Sequence, residues 1–151
     1  MTHFNGELKL TISLNPVTKK NSGQYTKTGV LLPSKAYRHY EKDALKLIPG
    51  FARLHIDEPI NICAKYYMKT DYYADERKAK VDKTNLESAL CDVLVAAGVL
   101  EDDNCRIVYS TDGSEVLFDK KNPRTEVTIT RIGYPPATTP EEDKALERMG
   151  I

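Results

Sequence analysis

Between Asp82 and Asp103 the sequence places carboxylates at both ends of a single amphipathic helix. Leu86, Ala89, Leu90, Val93, Leu94 and Ala97 recur at helical spacing over residues 85–97 and form one apolar stripe. Asp92 lies beside that stripe and Ser88 almost opposite it. Thr84-Asn85-Leu86-Glu87 has the form of a capping box, and Gly98 suits the position just past a helix C-terminus. The acidic triplet Glu101-Asp102-Asp103 follows at once. An apolar stripe of this width has to be buried against another element, which points to a layered fold. Carboxylates repel one another, and hard divalent cations take oxygen ligands, so acids gathered from both ends of one helix point to a metal.

The elements on either side supply the second layer. Glu7 to Leu14 alternates as a half-buried strand, stopped by Asn15-Pro16. Residues 17–32 have no hydrophobic period and read as an exposed loop. Ser34 is a suitable N-cap for a helix in which Tyr37, Tyr40 or Glu41, Ala44, Leu45 and Ile48 share a face before Pro49-Gly50. A second strand spans Pro59 to Met68, followed by a polar loop over 69–80. Ile107–Ser110 and Glu115–Phe118 are predicted to pair as a hairpin around Asp112-Gly113, and Thr125–Ile132 as the last strand. Thr139-Pro140-Glu141-Glu142 can open a short terminal helix. The order β-α-β-α-β-β predicts an α+β fold: a mixed β-sheet with helices packed mainly on one face, plus a short C-terminal helix. One domain over 1–132 and a tail over 133–151 are expected.

Composition narrows the class further. The 151 residues carry 22 basic and 22 acidic side chains, so the chain has no net charge to grip a long stretch of DNA phosphates. The charges are nonetheless grouped. Lys19, Lys20, Lys27, Lys35 and Arg38 fall early, and Lys65, Lys69, Arg77, Lys78, Lys80 and Lys83 lead into the acidic stretch, so a local basic face is compatible with the sequence. Cys63, Cys91 and Cys105 form no C-x-x-C pair, which argues against a zinc ribbon and a secreted disulfide framework. No apolar run has the length of a membrane span, and residues 1–7 lack the features of a signal peptide. A cytoplasmic protein with reduced thiols is expected.

Several short motifs, taken in order, resemble one family. They are Pro16-Val17-x-Lys19-Lys20-Asn21-Ser22, Pro33-Ser34-Lys35-Ala36-Tyr37-Arg38, Asp82-x-x-Asn85-Leu86, Asp92, and Ala97-Gly98-Val99-x-x-Asp102-Asp103. Together they resemble the RusA family of Holliday junction resolvases over about residues 8–132. The resemblance implies a small dimeric, magnesium-dependent endonuclease (Mn²⁺ a possible substitute) that acts on four-way junctions in DNA recombination and repair, often carried by prophages. In the family the central motif usually reads D-x-D-N, with a Lys on the first turn of the following helix. Here Thr84 stands in place of the second Asp, and Ser88 in place of the Lys.

On that resemblance Asp82 and Asp103 are the catalytic candidates. The candidate metal ligands are Asp82, Asp102 and Asp103, with Asp92 either joining them or serving the surface or a dimer interface. Lys19, Lys20 and Arg38 are candidate phosphate contacts, and Lys80 and Lys83 are candidates to replace the missing family Lys. Tyr72 and Tyr73 either wedge into an opened junction or pack at a sheet edge. Two other readings stand beside the resolvase. One is a branched-DNA-binding homologue that cuts weakly or not at all because of Thr84 and Ser88. The other is a metabolic enzyme that shares only an acidic turn.

Overall fold

The computed structural model describes residues 3–18, 24–25, 27–29, 31–32, 34–72, 74, 81–133 and 140–150. Strict alternation governs its strands. β1 (Glu7–Ile12) buries Leu8, Leu10 and Ile12 and turns Glu7, Lys9 and Thr11 to solvent. The segment expected as a plain loop contains a short antiparallel pairing of β2 (Gln24–Tyr25) with β3 (Leu31–Leu32). Strands of two residues leave no periodicity to read in a sequence. α1 (Lys35–Leu47) starts where Ser34 predicts it, with the Ser34 hydroxyl accepting from the Tyr37 N–H at 3.1 Å. It buries Tyr37, Tyr40 and Ala44.

β4 (Ile60–Met68) alternates throughout, with Ile60, Ile62, Ala64, Tyr66 and Met68 facing the core. α2 (Lys83–Ala96) follows, then β5 (Val108–Ser110), β6 (Glu115–Phe118), β7 (Arg124–Arg131) and α3 (Pro140–Arg148). β7 lies between β1 and β4, antiparallel to both, while β5 and β6 run parallel to β4 along its other edge. The sheet is therefore mixed, as expected. The buried side chains of β1, β4 and β7 form one apolar cluster with those of α1 and α2, so the two helices cover one face. The opposite face carries Lys9, Thr11, Lys65, Glu126 and Thr128.

The expected hairpin of β5 with β6 does not form. Both strands follow β4 in the same direction, β5 at Ile60↔Val108 and β6 from Lys65↔Glu115 to Met68↔Phe118. Asp112-Gly113 forms a bulge between them, because Asn61 on β4 holds this turn. Its Oδ1 accepts from Ser110 Oγ (2.6 Å) and the Asp112 N–H (2.7 Å), and its Nδ2 donates to Asp112 O (3.1 Å). Ser114 then fills the gap in the ladder: its hydroxyl accepts from the Ala64 N–H at 3.0 Å and donates to Ile62 O at 3.1 Å. Ser114→Ala should cost about 1–3 kcal/mol, because two buried backbone groups lose their partner. Urea denaturation checks this as a lower midpoint at unchanged m value.

Because β4 and β6 are parallel, the chain must cross back between them, and α2 is that crossover. Ile56 bridges Leu100, which puts the C-terminal end of α2 near the start of β4. The 14 residues of α2 rise about 21 Å. Its N-terminus therefore lies toward the end where β4 and β6 finish. Arg53 fastens both helices at their other ends. Its guanidinium donates to the carbonyl of Ala97, the C-cap of α2, at 3.0 Å, and to Leu45 O of α1 and the carbonyl of its C-cap Ile48 at 2.6 and 3.1 Å.

Candidate functional site

Asp82 is the N-cap of α2. Its Oδ1 accepts from the Thr84 N–H at 3.0 Å, and the Thr84 hydroxyl donates to the same oxygen at 2.8 Å. The helix thus begins before the capping box read from the sequence, and Thr84 sits inside it, not at its cap. Asp outranks Thr at an N-cap, so the earlier residue takes the role. Thr84 orients Asp82 through two hydrogen bonds. Ser88 is exposed on α2.

The other end of α2 closes in a Schellman motif. The Val99 N–H donates to Leu94 O at 2.9 Å and the Gly98 N–H to Val95 O at 3.0 Å, with Gly98 at φ +77°. His55 lies against this turn at φ +49°, and a Cβ added to Gly98 would come within 3.0 Å of its ring. The His55 Nδ1 stands 3.2 Å from Glu101 Oε2, while the Glu101 N–H donates to Ile56 O at 3.0 Å. Gly98, His55 and Ile56 therefore set the start of the acidic turn. Gly98→Ala should cost about 1–3 kcal/mol through left-handed strain and the displaced imidazole. Thermal unfolding checks this as a drop in Tm, and Gly98→Asn should lose less.

Within the turn, Asp102 is engaged by both oxygens: Oδ1 accepts from the Asp103 N–H at 2.7 Å and Oδ2 from Asn104 Nδ2 at 3.0 Å. Arg106 anchors the far side through Asp57 at 3.1 Å. The Asp103 carboxylate is exposed and takes no hydrogen bond among the described residues, which leaves its oxygens open to a ligand. Burial pushes the Cys91 thiol up to about 12, and the negative charges of Asp103, Asp92 and Glu87 add to that. Asp103 from the turn and Asp92 from the helix are thus both within electrostatic reach of Cys91. Glu87, which the sequence reading assigned only to a cap, belongs to this neighbourhood too. The Tyr66 hydroxyl, buried and without a partner among the described residues, is raised by burial and then by Glu87. The only sequence signal for Glu87 was its place one helical turn beyond Thr84.

Among the described residues no three His, Cys, Asp or Glu side chains form a group that could hold a metal ion. The carboxylates suit Mg²⁺ in kind, being hard oxygen donors. Mg²⁺ is commonly held by one or two of them, with water and substrate phosphate completing the shell. Lys83 is exposed at the first position of α2, 4.0 Å from Glu87. Arg38 is exposed on α1, and Tyr72 is half-buried. Lys19, Lys20, Tyr73 and Lys80 lie outside the described residues.

Fold and site together define a small α+β protein built around a crossover helix with carboxylates at both ends. The chain belongs to the RusA endodeoxyribonuclease family: the model described as endodeoxyribonuclease RusA matches residues 13–130, more than three quarters of its length. The members of this family are endonucleases. A comparison with curated proteins gave no match. No helix among the described residues is long and apolar enough to cross a membrane.

Proposed function

We propose that the protein is a magnesium-dependent endonuclease that resolves four-way DNA junctions. The observation that carries this reading is the family match over residues 13–130, a span that includes Asp82, Asn85, Asp102 and Asp103. The family-like motif assigns Asp82, Asp102 and Asp103 to Mg²⁺, with Asp92 a further candidate. Among the described residues they do not stand as one group, Asp82 capping the N-terminus of α2 and Asp102 and Asp103 following its C-terminus. When bound, the metal supplies an activated water and neutralises charge at the scissile phosphate. The chain's own residues do the positioning. Thr84 fixes one oxygen of Asp82 by two hydrogen bonds, so the carboxylate is oriented before any ligand arrives. Asp103 carries its charge on the turn held by Gly98 and His55. Lys83 offers a cation beside Asp82, and its exposed, long pairing with Glu87 is readily given up to a phosphate.

A homodimer fits the substrate, because a four-way junction needs two symmetric cuts and an isologous pair supplies two sites. Action on chromosomal or prophage DNA places the protein in the cytoplasm. A second reading, a junction-binding homologue with weakened or no cleavage, is favoured by one observation: a neutral hydroxyl at Thr84 replaces a family carboxylate.

Competition binding without metal tests the substrate assignment. A labelled four-way junction should be displaced by unlabelled junction at a concentration at least about tenfold below that of duplex with the same arms, roughly 1.4 kcal/mol of preference. Equal competition by junction and duplex would remove junctions from the proposal.

A further inference from the structure

The carboxyl ends of β1, β4 and β6 and the start of β7 meet at one end of the sheet, and a groove of about 640 Å³ opens there. Ser13, Asn15, Asp119, Lys121, Asn122 and Arg124 line it. Asn15 joins the strand ends by accepting from the Lys69 N–H at 2.9 Å, and the Asp119 N–H closes onto Met68 O at 2.9 Å.

Arg124 is held rigidly at the groove. Its Nε donates to Glu126 Oε1 (3.0 Å), and its Nη1 donates to Asp119 Oδ2 (2.9 Å) and Asn122 O (2.9 Å). The guanidinium also stacks 3.8 Å above the Tyr67 ring centroid. The Arg124 hydrogen bond holds the Asp119 carboxyl below its ordinary range. The remaining nitrogen, Nη2, has no partner among the described residues, so its two N–H groups are left for an oxygen-bearing ligand. Lys69, Lys120 and Lys121 are exposed around the same end and form no ion pair among the described residues. A guanidinium fixed in advance loses little freedom on binding and matches a phosphate diester in shape, while the unpaired lysines supply the attraction that Asp119 and Glu126 take from Arg124.

We propose that this groove is a second DNA contact, separate from the carboxylates of α2, in which Arg124 and Lys121 hold backbone phosphates of one duplex arm. The site rests on the junction-endonuclease reading and deepens it. The groove and the N-terminus of α2 share one end of the sheet, so an arm seated here leads toward Asp82.

The test is the salt dependence of binding to a fluorescent four-way junction in EDTA, for wild type, Lys121→Ala and Lys121→Glu. Both variants leave the ion pairs of Arg124 in place. Loss of one phosphate contact should lower the slope of log K against log salt by about 0.9, which makes binding about fivefold weaker near 150 mM salt. Lys121→Glu should weaken it further, with thermal unfolding unchanged in both. Acetylation of surface lysines, read by mass spectrometry, should show Lys121 protected when DNA is present. If wild type binds the junction while both variants keep its slope and affinity, the groove proposal is overturned and the junction reading stands. If wild type binds no DNA at any salt concentration, both fall together.

Discussion

Asp103→Asn should reduce metal-dependent cleavage at least about a hundredfold while leaving junction affinity and unfolding temperature close to wild type. The asparagine keeps the size of the side chain and removes one ligand charge. Asp103 is exposed and takes no hydrogen bond among the described residues, so the substitution breaks nothing in the fold. Asp82→Asn should show the same separation of activity from stability, since Asn and Asp cap helices about equally well. Asp82→Ala should lose about 1 kcal/mol as well, because the Thr84 amide and hydroxyl both lose their acceptor. Single-turnover cleavage and anisotropy binding on the same preparations check all three. A loss of binding that parallels the loss of cleavage would mean that these residues serve the fold or the DNA surface and not the chemistry.

The largest expected effect on stability belongs to Leu94→Ala, at about 2–5 kcal/mol. Leu94 is fully buried in the cluster shared by the sheet and both helices. Its carbonyl also accepts from Val99 and Leu100, so its position sets the turn that leads into Glu101-Asp102-Asp103. The cavity therefore opens at the residue whose carbonyl holds this turn, and relaxation around it should move the acidic segment that follows. Chemical denaturation measures the loss. Cleavage at a temperature where the variant remains folded should fall as well, unlike in Ser114→Ala, whose bulge lies on the far edge of β4.

The parts of the fold that follow from one repeating pattern were legible in the sequence. β4 runs over Ile60–Met68 because nine residues alternate without interruption, and α1 starts at Lys35 because Ser34 caps it. The start of α2 was misread because two capping signals compete there, and Asp82 wins over Thr84. The path of β5 and β6 was not legible. Asp112-Gly113 carries a strong local hairpin signal, and the residue that overrides it, Asn61, lies about fifty positions away. The candidate site divides in the same way. Asp82, Asp102 and Asp103 could be named from motif spacing. The reach of Asp103 to Cys91, the clamp of Arg53 and the contact of His55 with Gly98 depend on tertiary approach, which no local spacing encodes. The preorganised Arg124 belongs with them, because two of its partners, Asp119 and Asn122, come from a turn that closes only when β6 and β7 are both placed.

The most direct test of the endonuclease reading is to map cut ends on a synthetic four-way junction labelled on each strand in turn, with Mg²⁺ and then Mn²⁺. The account predicts paired nicks at symmetry-related positions in two strands of like polarity, leaving 5′-phosphate and 3′-hydroxyl ends that a ligase can seal. Asp103→Asn should give none under the same conditions. An intact junction, bound but uncut with either metal, would contradict it and leave a junction-binding protein in which Thr84 and Ser88 have ended the chemistry.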